Sequence, residues 1–150
     1  MVTLTIIAIA IFIVLLFSMS MTAGTKSSIS QLAEQWRWLL LVALWSQILL
    51  LPYMLTITPT NWRWMTFIGM GGVVTCGGAS IFNKEDELIH MIAAAITFLC
   101  FTGWVILMNN YCLMALIMCL AAGRDKFKWR LEVGLITSVY LTLILNIFSK

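Results

Sequence analysis

Between Leu88 and Ala122 the chain runs for 35 residues without an aspartate, glutamate, lysine or arginine. A helix needs about 20 mostly apolar residues to cross a hydrocarbon layer about 30 Å thick. This run therefore calls for a membrane and is too long for one ordinary crossing. Asn109 and Asn110 interrupt it, with Gly103 and Trp104 just before. The reading is two crossings, 88–106 and 110–123, joined by a tight hairpin at the asparagines. The second is short, so it sits tilted or incompletely across.

The rest of the chain has the same character. Val2 to Ala23 is uncharged and lacks the positive n-region of a secretory signal peptide, so it is expected to stay as the first crossing, ended by Gly24. Ser28 and Gln31 match a capping box and start a helix that enters the second crossing, 39–57, between Trp36 and Trp38. Pro52 falls inside that crossing and should kink it. A turn around Pro59 and a second aromatic anchor, Trp62 and Trp64, lead to the third crossing, 64–82. The last crossing is 131–148, with Trp129 at its mouth. Glu132 is expected near the interface, paired with a basic neighbour.

The expected fold is thus all-α, an integral membrane helical bundle with about six transmembrane helices, five being the alternative, in a single transmembrane domain 1–150. Composition agrees. The chain is 62% hydrophobic and 10% charged, with a mean hydropathy of +1.01. A soluble domain is about 45–50% apolar and about 25% charged, so there is too little polar surface to cover one. The net charge of +3 is spread over short loops, an orientation signal and no nucleic-acid footprint. With six crossings one side holds Lys26, Arg37, Lys84, Arg124, Lys126, Lys128 and Arg130, and the other holds Arg63 and Lys150. With five, the split is five to four. Lysine and arginine gather in short cytoplasmic loops, so six crossings with both termini outside the cytoplasm are favoured, in a membrane of bacterial inner-membrane type.

The third crossing, WMTFIGMGGVVTCGGASIF, carries five of the nine glycines: Gly69, Gly71, Gly72, Gly77 and Gly78. Small residues let another membrane helix approach closely. Gly71, Thr75 and Ala79 form one stripe, and Gly72, Cys76 and Ser80 form the adjacent one. Ala93, Ala94, Ala95 and Thr97 make the fourth crossing small-faced too, so the third and fourth are expected to be close neighbours and the third to be central. Its GMGG lacks the strand and the GK[ST] of a phosphate loop. A re-entrant loop is the alternative to a packed helix. Gln47 lies mid-crossing beside Ser46 and needs an internal partner, in the bundle or across a protomer contact.

The one constellation that suggests chemistry is Asn83, Glu85, Asp86, Glu87 and His90. Asp86 and Glu87 stand four and three residues before His90, which on a helix puts them on its face. Glu85, Asp86, Glu87 and His90 are therefore candidates for ion binding or gating. The plainer reading is an N-cap at Asn83 followed by acidic residues that suit the helix dipole. A di-iron bundle needs Glu-x-x-His twice, and this chain has one histidine. Cys76, Cys100, Cys112 and Cys119 show no CxxC spacing and read as small buried hydrophobes, and the ten methionines as adaptable packing. A triad of Ser80 or Cys76 with His90 finds no nucleophile elbow. No metal site or cofactor is expected.

The strings LLPYML (50–55), TPTNW (58–62), GGASIF (77–82) and IHMIAAA (89–95), the last after an acidic turn, together resemble uncharacterised small multi-pass membrane proteins of gut bacteria. The resemblance covers about the middle third of the chain. It implies a histidine on a helix after a short acidic turn, and no activity.

The leading functional expectation is a homo-oligomeric channel or transport-type module, with Glu85, Asp86 and Glu87 as a cation-attracting ring. Two alternatives stand beside it: a non-catalytic partner subunit or assembly factor bound to another membrane protein, and an intramembrane metal-dependent hydrolase centred on His90. The expected partners are the lipid bilayer and either further copies of the chain or another membrane protein.

Overall fold

The computed structural model describes residues 1–23, 33–82, 87–121 and 127–149. These are helical almost throughout, with no strand among them. Four stretches are long and apolar enough to cross a membrane: Val2–Met19, Trp36–Ile57, Leu88–Ala121 and Phe127–Phe148. In hydrocarbon every backbone polar group must be satisfied within the segment, which leaves the helix as the solution for an apolar run. The helices are α1 (Val2–Ala23), α2 (Ala33–Ser46), α3 (Leu51–Ile57), α4 (Arg63–Phe82), α5 (Glu87–Asn109), α6 (Leu113–Ala121) and α7 (Phe127–Phe148). Gly24, the Ser28–Gln31 capping box, Asn83, Glu85 and Asp86 lie outside the described residues.

Helices α2 and α3 form one rod interrupted by a 3₁₀ turn at Gln47–Leu50, with Pro52 in the first turn of α3. Proline has no N–H to give to the carbonyl four residues back, and the first turn of a helix is where that loss matters least. Trp36 is non-helical (φ −130°, ψ 43°) near the start of the rod. At the other end Thr58 closes it twice: its N–H donates to the Met54 carbonyl at 2.9 Å and its hydroxyl to the same oxygen at 2.6 Å. Pro59 then turns the chain into α4.

Helix α4 lies between α2 and α5, and its pairing with α5 is the most extensive in the bundle. A Cβ on Gly69 would lie 3.0 Å from the Phe101 ring, one on Gly72 would strike the Thr97 hydroxyl, and one on Gly77 would lie 3.2 Å from the Trp45 indole. At Gly71 and Gly78 the same position is open space. The Gly72–Cys76 stripe therefore faces the bundle, while Gly71 and the exposed Thr75 face outward. Lacking a neighbour, the Thr75 hydroxyl donates to its own helix at Gly71, 2.9 Å away.

The long run beginning at Leu88 doubles back. Asn109 is extended (φ −165°, ψ 93°), its side chain accepts from the Tyr111 N–H, and a 3₁₀ turn, Asn110–Cys112, leads into α6. His90 and Glu132 line one cavity, while Gly134 packs against Leu116 and Cys119. An unbroken helix would hold His90 and Leu116 about 39 Å apart at 1.5 Å per residue, which two neighbouring turns of α7 cannot bridge. Of the 110–123 expected for the returning limb, residues 110–112 form the 3₁₀ turn and α6 accounts for nine described residues, about 14 Å of rise; residues 122 and 123 lie outside the described residues. Among the described residues the bundle thus has five long rods and one short limb, where about six full crossings were expected.

The core includes Phe12, Met54, Trp104, Val105 and Leu143, each at most 1% exposed. Large apolar side chains also cover the outside, among them Phe17, Leu99, Met118 and Phe148. Soluble monomers rarely expose contiguous apolar surface on this scale, and lipid supplies the missing partner.

Candidate functional site

A half-open cavity of about 160 Å³ lies inside the bundle. Phe12 of α1, Leu44 of α2, Met54 of α3, Val73 of α4, Phe98 of α5 and Val139 of α7 all reach its wall. Most of the wall is apolar, and two polar groups of residues interrupt it.

The first is a pair in the middle of the rods. The Tyr140 hydroxyl donates to Gln47 Oε1 at 2.5 Å, and both residues are buried. The Gln47 amide nitrogen donates to the Ser46 hydroxyl at 3.2 Å and the Ala43 carbonyl at 3.3 Å, and reaches the Ala8 carbonyl of α1 at 3.5 Å. Phe12 meets the Tyr140 ring edge-on, with centroids 5.9 Å apart. The partner that Gln47 required is thus within the same chain, on α7.

The second group lies near the starts of α5 and α7 and joins Cys76, His90 and Glu132. The Cys76 thiol donates to the His90 carbonyl at 3.8 Å, and Glu132 is within electrostatic reach of Cys76. All three residues take part in further interactions. His90 is three residues into α5 and Glu132 five residues into α7, about one turn below each helix start. Their elements explain the depth: α5 begins at Glu87 and α7 at Phe127, with Lys128 and Arg130 already helical, so each ionisable group enters on the first or second turn.

Among the residues expected at a site, His90 lies in the cavity wall. Glu87 starts α5 with its side chain outside those described, as is that of Ser80, and Glu85 and Asp86 lie outside the described residues altogether. Gly72 and Gly77 are buried contacts of α4, Gly69 packs on α5, and Gly71 and Gly78 border no neighbour. Sequence reasoning missed Glu132 as a wall residue and Tyr140 as the partner of Gln47. The signal for Glu132 was its place two residues past Arg130, at the head of an otherwise apolar segment. No group of three or more His, Cys, Asp or Glu side chains placed to hold a metal occurs among the described residues.

The chain belongs in the class of α-helical, membrane-type bundles with an internal cavity. No family model matches it, and neither a curated protein nor a solved structure does.

Proposed function

We propose that the protein is a polytopic membrane module of transport type that receives a small ligand in the cavity inside its bundle. The observation that carries this reading is the cavity itself: helices from both halves of the chain wall it, and Glu132 and His90 are among its lining residues. Ionisable groups at membrane depth are expensive to keep and mark substrate or ion paths. In this reading the chain passes the bilayer six times, the short α6 limb counting as the fifth pass. The basic loops lie in the cytoplasm of a bacterial inner membrane, and both termini lie outside. Reporter fusions at Met1 and Lys150 test the orientation, and activity of a cytoplasm-only reporter at either end overturns it.

The functional test is a thermal-shift screen of small apolar and amphiphilic compounds on the purified protein, followed by flux of the hits into proteoliposomes. A ligand at a hundred times its Kd stabilises the fold by about 2.7 kcal/mol. Filling the cavity with Ala94→Phe should remove both the shift and the flux. Hits whose shift survives Ala94→Phe bind elsewhere and sink the reading.

A second reading draws on the outer face of α4. Gly71 and Gly78 leave room there for another helix, which supports a homo-oligomer or a membrane partner subunit. Native mass spectra from mild detergent decide it: a bare monomer removes the homo-oligomer. The acidic residues Glu85, Asp86 and Glu87 would gather at the mouths of such an assembly, and joint neutralisation without loss of cation flux removes them from the transport path. The hydrolase reading centred on His90 has no set of three metal ligands among the described residues.

A further inference from the structure

Six residues of the cavity wall carry polar or ionisable side chains: Gln47, Cys76, His90, Thr97, Glu132 and Tyr140. Each is already engaged. The Tyr140 hydroxyl donates to Gln47 Oε1, and the Gln47 amide nitrogen donates to the Ser46 hydroxyl and to backbone carbonyls of Ala43 and Ala8. The Thr97 hydroxyl donates to the Ala93 carbonyl of its own helix at 2.8 Å. The Cys76 thiol donates to the His90 carbonyl, and His90 and Glu132 take part in further interactions. The remaining wall residues are aliphatic, aromatic or thioether. A polar ligand would have to break a bond inside the protein or leave its own group unpaired, and both are costly away from water. A molecule without polar groups meets neither cost. Size agrees: at about 160 Å³ the space is near that of an engineered apolar cavity of about 150 Å³ that stays dry and binds benzene.

We infer that the cavity takes a neutral, apolar molecule of about one aromatic ring, and that the bond between Tyr140 and Gln47 sets this preference by engaging the Gln47 carbonyl oxygen. This deepens the transport reading above and rests on it. Both residues line the space and both are buried. With Tyr140 in place, Gln47 Oε1 accepts from inside the bundle. Without that hydroxyl, a buried acceptor would stand in the wall wanting a donor, and a hydroxylated ligand could supply one. Discrimination against hydroxyl groups is thus held by a contact between α7 and the 3₁₀ turn of the second rod.

The probes are toluene and phenol, one ring each, which differ by a methyl group for a hydroxyl. Binding to the full-length protein in detergent is measured by ligand-observed NMR, with each affinity referred to the probe's partition into protein-free micelles. The expected result is saturable binding of toluene, with phenol about tenfold weaker, the size of one unpaired hydroxyl. Tyr140→Phe should strengthen phenol about tenfold and leave toluene unchanged, a gain that a purely structural role of Tyr140 would not produce. Circular dichroism and gel filtration report whether each variant is folded. Phenol equal to or tighter than toluene in the wild-type protein overturns the apolar assignment and leaves the transport reading standing. Phenol no better in a folded Tyr140→Phe overturns the role given to the Tyr140–Gln47 bond. Loss of toluene in Ala94→Phe places the binding in the cavity, and binding that survives that change overturns the assignment. Saturable binding of neither probe to the wild-type protein overturns the cavity reading as well.

Discussion

Tyr140 donates its hydroxyl to Gln47 across 93 residues of sequence at 2.5 Å, joining the 3₁₀ turn of the second rod to the last helix. Hydrogen bonds between membrane helices average about 0.6 kcal/mol and reach about 1.7. This one is buried on both sides, which puts it at the upper end. Tyr140→Phe should lower stability by about 1–2 kcal/mol, and Gln47→Leu by a similar amount. The double variant should cost clearly less than the two together, because each single change strands one buried polar group. Reversible unfolding in mixed micelles measures all three, and strict additivity would show that the pair is not coupled.

Gly72 and Gly71 are neighbours with opposite surroundings. A Cβ at Gly72 strikes the Thr97 hydroxyl and comes 2.9 Å from the Ala93 carbonyl, and the latter is backbone and cannot swing away. Gly72→Ala should therefore destabilise the bundle by about 1–3 kcal/mol, the usual cost of overpacking. Gly71→Ala meets nothing within 4 Å and should leave the protomer as stable as before or slightly better. Thermal unfolding of the two variants side by side checks this, and equal losses would place Gly71 at an interface.

Trp104 is wholly buried, and its indole N–H donates to the Thr58 hydroxyl at 2.7 Å. That contact ties α5 to the end of the second rod. Trp104→Phe loses the bond and opens space, for an expected cost of about 1–3 kcal/mol. Trp62→Phe, at an exposed position, should stay within about 0.5 kcal/mol.

Cys76 lines the cavity and is half-buried, whereas Cys112 is buried. A small neutral maleimide should label Cys76 faster than Cys112, as peptide masses will report. An occupant of the cavity should slow Cys76 and leave Cys100 and Cys119 unchanged. Unchanged labelling of Cys76 at saturating ligand would mean that the ligand sits elsewhere.

Much of the architecture is legible in the sequence because a bilayer leaves an apolar run one solution. The long rods follow from run length, and the break at Asn109 from polar residues inside a run too long for one crossing. Run length does not give the length of the returning limb. The polar stretch after Asn109 continues through a 3₁₀ turn to Cys112, and that shortens α6. The two small-residue stripes of α4 look alike in sequence, and only the neighbours decide that Gly72 is inside and Gly71 outside. Gln47 announced its need for a partner, but several hydroxyls stood at comparable depth, so Tyr140 could not be chosen. Glu132 was placed by its neighbours in sequence, the basic loop, and the structure places it by its neighbours in space, Cys76 and His90. Such a cavity arises where rods distant in sequence diverge, and periodicity within one rod carries no trace of it.

The bond between Gln47 and Tyr140 also sets an order of events during synthesis. Gln47 enters the bilayer with the second rod, when Ala8, Ala43 and Ser46 are the neighbours already made. The hydroxyl that satisfies its carbonyl arrives only with α7, about 90 residues later. Until then the young bundle carries an open acceptor at mid-membrane depth, and a chain stalled before α7 would expose it. The last rod therefore acts as a latch on the first two, and truncation ahead of Tyr140 would produce a protein that inserts but does not close.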